Sequence, residues 1–176
     1  METKNIKYPY LPDGRTILYV PENNPYMTEA KNTCIEQATD WGHPSGAVIV
    51  KDGEILGRGS LKSKLNNRKL IKLHHLGWCI RKILKIKTGE KYWLCPGCVD
   101  VYNHSEQMAI KDAVKNKKNT TEGSDMYFWG HWWCCESCWN KIIQAKIRNV
   151  YLMEGSEVLF NKANPNNIVG RQFDKI

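Results

Sequence analysis

The feature that most constrains this chain comes in two pieces. The first is His104-Ser105-Glu106, and the second is Cys135-Glu136-Ser137-Cys138. Each follows a strand-like run and opens a helical pattern. Imidazole nitrogen and thiolate sulfur are preferred zinc ligands, and three protein ligands leave a fourth position for water. That open position separates a catalytic zinc from a structural one. A carboxylate that is not a ligand but lies within hydrogen-bond reach can move protons beside it. Two residues past His104 on a helix, Glu106 points to a different side from the imidazole. His104, Cys135 and Cys138 are therefore the expected zinc ligands, and Glu106 the expected catalytic acid–base. Either piece alone carries little, since Cys-x-x-Cys also fits a redox pair or half a zinc knuckle. The pairing carries the reading.

At 176 residues the chain suits one domain, with 41% hydrophobic and 25% charged residues, enough to bury a core. There is no apolar run long enough to span a bilayer and no N-terminal signal pattern, so the expected compartment is the cytoplasm and no membrane partner is expected. Seven cysteines, an odd number clustered in two Cys-x-x-Cys pairs, favour metal thiolates over a disulfide framework. The net charge of +8 is concentrated: residues 61–91 hold ten Lys or Arg against one acid, Glu90. That segment fits an anionic partner, a nucleotide phosphate or a nucleic-acid backbone, and equally a solvated helix face.

Residues 1–26 read as an extension with a strand-like run from Thr16 to Val20. A helix is expected from about Met27 to Trp41, with Ala30, Cys34 and Ala38 as its buried stripe. Gly46–Val50 and Glu54–Gly59, joined through Asp52-Gly53, predict a β-hairpin. Residues 61–103 form a basic insertion, helical from about Trp78 to Lys85. Helices from about Ser105 to Asn116 and Cys135 to Ala145 alternate with strands Asp125–Trp129 and Asn149–Met153. This implies parallel pairing through a right-handed crossover. The tail, 154–176, is weakly patterned.

These motifs resemble the cytidine and deoxycytidylate deaminase superfamily. The matching residues are Pro44-Ser45-Gly46-Ala47-Val48-Ile49-Val50, His104-Ser105-Glu106, and Cys135-x-x-Cys138 with Ile142, Ala145, Ile147 and Val150 behind it. Cys79-Ile80-Arg81, Leu84-Lys85-Ile86, Gly89-Glu90 and Cys95 are similar to the segment that precedes the catalytic His in dCMP deaminases. The likeness covers about Met27 to Met153. It implies an α/β fold, a three-layer α/β/α domain with a five-stranded mixed sheet, here carrying a basic insertion. It also implies a homo-oligomer, dimer or hexamer. The implied activity is zinc-dependent hydrolytic deamination of a cytosine nucleotide, dCMP to dUMP first, by attack of zinc hydroxide on C4 with Glu106 as proton shuttle.

Three positions depart from the family pattern. Cys134 stands where a Pro precedes the Cys pair. Leu61 stands where an Asn meets the sugar, and Met108 where an Asn follows the His-x-Glu motif. They bear on substrate identity more than on reaction type. Two alternatives stand beside a nucleotide substrate: deamination of a base within nucleic acid, tRNA adenosine or single-stranded cytosine, and a zinc-stabilised binding protein without turnover.

Secondary constellations carry two readings each. Cys79, Cys95 and Cys98 with His74 or His75 fit a second, structural zinc, or buried thiols around a Pro96-Gly97 turn. His131, Trp132 and Trp133 fit a base-stacking loop or plain packing. Arg58, Lys62, Lys64 and Arg68 fit phosphate contacts. Cys134 is expected to be a small helix-start residue and not a fourth ligand.

Overall fold

The computed structural model describes residues 6–65, 67–87, 90–115 and 120–173. Its centre is a five-stranded sheet in the order β1-β5-β4-β2-β3, built from Ile17–Val20 (β1), Gly46–Lys51 (β2), Glu54–Ser60 (β3), Asp125–Trp129 (β4) and Asn149–Met153 (β5). β1 and β4 pair parallel with β5, while β2 runs antiparallel to both β3 and β4. The mixed sheet expected from the sequence is present. The hairpin turns where Asp-Gly predicts it, with Asp52 and Gly53 both at positive φ (50° and 86°), as a type I′ turn requires.

Strand alternation divides the core in two. Ala47 and Ile49 of β2, with Met126 and Phe128 of β4, face helices α4 (Ser105–Ala113) and α5 (Glu136–Gln144). Val48, Val50, Tyr127 and Trp129 face α1 (Pro25–Gln37), with Met27, Ala30 and Cys34 as its buried stripe. The result is helix, sheet, helix. α1 begins at Asn24, whose side chain accepts from the Tyr26 and Met27 amides, and it ends sooner than expected because Ala38 turns extended.

The flanks contribute more than the sequence suggested. β1 completes the sheet beside β5, and in the tail α6 (Ser156–Leu159) delivers Phe160, fully buried, edge-on to Trp129. The insertion differs too. Its main helix is α2, Arg68–His75, capped by Asn67, and the expected helix at Trp78–Lys85 is only the single turn α3, Ile80–Ile83. Lys85 at φ 52° ends that turn. Gly89, and the expected end of the first catalytic helix at Asn116, lie outside the described residues.

What positions the site is the seating of α4 on β3. Gly57 and Gly59 present no side chain to the helix: a Cβ on Gly59 would overlap the Ala109 nitrogen and Ser105 oxygen, and one on Gly57 would overlap Ala109 and Ala113 backbone. The helix that begins at His104 therefore rests backbone to backbone on the strand. Gly59→Ala is expected to destabilise the fold by about 2–3 kcal/mol and to lower retained zinc, read by urea unfolding and metal analysis. An unchanged midpoint would mean that this close approach is not needed.

Candidate active site

His104 and Cys135 occupy equivalent places, each the N-cap of its helix, α4 and α5, and Cys138 lies one turn into α5. The two helices thus meet start to start. His104 Nδ1 lies 3.7 Å from Cys135 Sγ and 3.5 Å from Cys138 Sγ. Zinc–sulfur bonds of about 2.3 Å and zinc–nitrogen bonds of about 2.0 Å give a tetrahedral edge of roughly 3.5 Å between S and N. The three donors are therefore already spaced for zinc. The Cys138 thiol and the His104 imidazole beside it hold the Cys135 thiol down to about 4, despite burial, so a thiolate is available to a metal.

Glu106 follows inside the first turn of α4 and is 3% exposed. Burial pushes its carboxyl above the usual range. Two serines orient it. Ser105 Oγ donates to Glu106 Oε2 (3.3 Å), and Ser45 Oγ lies 2.8 Å from Ser105 Oγ. With Glu106 ionised, Ser45 donates to Ser105, which donates to the carboxylate. Ser105 is fully enclosed and Ser45 is buried at the cavity edge, so the chain is largely shielded from competing water. Cys134 is buried, and desolvation first, then the Glu106 charge, pushes its thiol far up; it stays outside the ligand cluster.

A cavity of about 340 Å³ opens over these groups. It is lined by His104, Glu106 and Cys135, by His131, Trp133 and Phe128, and by Leu61, His74, Arg81, Tyr92 and Cys98 of the insertion. A larger cleft of about 480 Å³ lies between the C-terminal parts of α4 and α5, away from both metal-ligating clusters found among the described residues.

The second cluster is His74, Cys79, Cys95 and Cys98, its donor atoms within 4.8 Å of one another. Cys79 Sγ lies 3.5 Å and His74 Nε2 3.7 Å from Cys98 Sγ. The choice between His74 and His75 falls on His74. His75 is stacked on Trp41 (5.5 Å) and bonds its backbone N–H. Arg81 is enclosed beside this cluster, donating to the Glu90 and Lys87 carbonyls and to Cys98 Sγ, with Tyr92 beneath it at 4.0 Å. Four donors of zinc type close a structural site, whereas three around His104 leave a position open.

The other candidates divide. His131 and Trp133 line the cavity. Trp132 instead stacks on Tyr8 (6.4 Å), outside it. Arg58 sits between Gly57 and Gly59 and so points to the opposite face of β3, where it pairs with Glu29 at 2.6 Å. Lys62 binds Gln37 at 3.0 Å. Neither cation lines the cavity. Sequence reading missed His43, Ser45 and Asp40, all of which line it. Ser45 stood in a quoted motif, but nothing in its spacing marks it as a partner of Ser105.

A family model described as the cytidine and deoxycytidylate deaminase zinc-binding region matches residues 21–154. The chain belongs to this family of zinc-dependent deaminases. Three solved structures resemble it. One is a diaminohydroxyphosphoribosylaminopyrimidine deaminase/5-amino-6-(5-phosphoribosylamino)uracil reductase of Thermotoga maritima, at 20% identity and TM-score 0.44, over 72% of this chain and 28% of that one. Another is the dCMP deaminase of cyanophage S-TIM5, at 20% and 0.44, over 78% and 87%. The third is a guanine deaminase of Bacillus subtilis, at 21% and 0.42, over 74% and 62%. This chain thus spans less than a third of the first, bifunctional protein. The search of individually curated proteins returned no match. No helix among the described residues is long and apolar enough to cross a membrane.

His43 gives the site region a pH signature. Burial first, then nearby Lys162, pushes its imidazole down from 6.5 to about 4. Between those values the unfolded chain binds the proton and the folded chain does not, so stability is fully present above pH 6.5 and falls as pH drops toward 4. The loss amounts to roughly 2–3 kcal/mol. His43→Phe, which keeps a ring on His131, is expected to flatten that part of the profile relative to wild type in urea unfolding from pH 4 to 7.

Proposed function

We propose that this chain hydrolytically deaminates a cytosine nucleotide, dCMP to dUMP. The observation that carries the reading is the enclosed Glu106 carboxyl beside the His104–Cys135–Cys138 cluster at the end of a nucleotide-sized cavity. The resemblance of Cys79-Ile80-Arg81 through Cys95 to dCMP deaminases supports the choice of nucleotide. His104, Cys135 and Cys138 hold the catalytic zinc, and His74, Cys79, Cys95 and Cys98 a structural one. Zinc at the first site supplies Lewis-acid activation of water near neutral pH.

The chain's own residues supply the rest. Glu106 takes a proton from water as the water oxygen bonds to C4, and delivers that proton to ring nitrogen N3. It then moves the proton of the new C4 hydroxyl to the amino group, so that the C4–N bond breaks, ammonia leaves and C4 becomes a carbonyl. The overall balance is cytosine nucleotide plus water to uracil nucleotide plus ammonia. Burial suits Glu106 to both roles, since raising a carboxyl toward neutrality brings its acid and base forms closer in energy. The Ser45–Ser105 chain fixes which oxygen faces the substrate and re-forms whichever way the proton runs.

A second reading, deamination of a base within single-stranded nucleic acid, is favoured by the insertion. Trp78 and Trp93 are 72% and 70% exposed among its lysines and arginines. Stacking rings on a basic surface suit unpaired bases and phosphates. One panel separates the readings: zinc-loaded protein offered dCMP, CMP, dCTP, cytidine, single-stranded DNA and tRNA, with products read by mass spectrometry. Turnover of dCMP is expected. Turnover of polymer alone would move the function to nucleic acid, and silence would leave a zinc-stabilised binding protein. Glu106→Ala is expected to keep its zinc and lose at least about a thousandfold in kcat; retained activity would remove Glu106 from the chemistry. Metal analysis is expected to find zinc at both clusters, with Cys135→Ser and Cys98→Ser each losing one ion. Zinc unchanged in either variant would overturn that ligand set.

A further inference from the structure

His131 is held in one tautomer by its own loop. Its Nδ1 accepts the backbone N–H of Trp132 at 3.0 Å and lies 3.4 Å from that of Trp133. A ring nitrogen that accepts carries no hydrogen, so in the neutral ring the hydrogen sits on Nε2. The ring is fixed in plane as well, stacked on His43 (4.4 Å, 15°) and on Phe128 (5.9 Å, 13°). Burial first, then His43, holds the imidazole well below its usual range, so it stays uncharged. Nε2 has no partner among the described residues and is not one of the sealed polar atoms, and His131 lines the cavity. The loop thus presents a rigid, neutral N–H donor.

Two other side-chain donors around the cavity are committed. The Ser45 hydroxyl serves Ser105, and the Arg81 guanidinium serves two carbonyls and Cys98. Leu61 adds only hydrocarbon. A neutral donor suits a carbonyl, whereas phosphate is usually met by charged ones.

We propose that His131 is a specificity-determining residue whose Nε2–H donates to the C2 carbonyl oxygen of a cytosine ring. The assignment rests on the cytosine-nucleotide reading. With C4 toward the His104–Cys135–Cys138 cluster and N3 toward Glu106, the C2 oxygen is the next polar atom along the ring edge. Cytosine alone among the common amino-bearing bases runs amino carbon, imine nitrogen, carbonyl. Adenine places a C–H at the third position and guanine a ring-fusion carbon. A purine would therefore leave this enclosed donor without a partner, a cost that falls on the wrong base and not on the right one.

The test compares binding of dCMP and 2-thio-dCMP, whose sulfur is a weak acceptor, to zinc-loaded Glu106→Gln protein. The second arm adds His131→Asn, whose side-chain oxygen can still accept the Trp132 and Trp133 amides while the Nε2 donor is gone. Sulfur is expected to weaken binding about 5–10-fold with His131 present. With His131→Asn, dCMP should weaken by a similar factor and the two ligands should bind alike. His131→Gln, which returns an N–H near the Nε2 position, should restore part of the preference. A sulfur penalty that survives His131→Asn, with zinc content unchanged, overturns the assignment. So does a His131→Asn loss seen for dCMP but not for deoxycytidine, which would place the donor on phosphate. If wild type turns over dCMP and these ratios fail, only the role of His131 falls. If dCMP neither binds nor reacts, the cytosine reading falls with it.

Discussion

The site depends on a bare contact between main chains. β3 offers Gly57 and Gly59 to α4, and at these two residues the helix lies backbone to backbone on the strand, with Asp112 accepting the Arg58 N–H between them. Everything that needs sub-ångström placement hangs from that helix: His104 at its cap, Glu106 in its first turn, and Ser105 between them reaching across to Ser45 on the neighbouring strand. Side-chain packing can adjust to a perturbation by changing rotamers, but stacked backbones cannot. The same two glycines turn Arg58 to the far face of the sheet, where it serves α1 and not the cavity.

Two helix starts converging on one point explain the chemistry of the metal donors. Cap positions leave backbone N–H groups unpaired and aimed outward, which favours thiolate over thiol. The carboxyl of Glu106 experiences the opposite influence, burial among apolar and thiol groups. Groups at the two converging helix starts thus have their ionisation pulled in opposite directions, with the Cys135 thiol brought down and the Glu106 carboxyl brought up. That separation is what the proposed deamination asks of the site, a thiolate to hold a cation and a carboxyl able to move protons.

Much of this was legible in the chain because the motifs are local. His-x-Glu and Cys-x-x-Cys each sit within a single turn, so their spacing survives folding unchanged. The sheet was legible because the apolar run Gly46–Val50 and the Asp-Gly turn are short-range signals. The insertion was harder. The charge pattern hid α2, whose apolar Leu70 and Leu73 stay exposed while only Ile71 is buried. The placement of Arg58 and Lys62 also failed to follow from sequence. Proximity to the hairpin says nothing of which face a side chain takes, and a one-residue offset on a strand reverses it. His43 and Ser45 gave no signal because their partners, His131 and Ser105, lie far along the chain. Tautomer and hydroxyl direction are set by such partners, not by residue type.

The cavity has two makers. Part of the lining belongs to the sheet, its helices and their loops; another part, His74, Arg81, Tyr92 and Cys98, belongs to the insertion and is gathered around its own Cys–His cluster. The insertion enters and leaves the domain at 61 and 103, beside the reaction centre but outside the core. The His104–Cys135–Cys138 cluster and part of the cavity lining are therefore carried by separable pieces of chain. Changes in the insertion can therefore reshape one part of the cavity while Ser45, Ser105 and Glu106 keep their hydrogen-bonded chain.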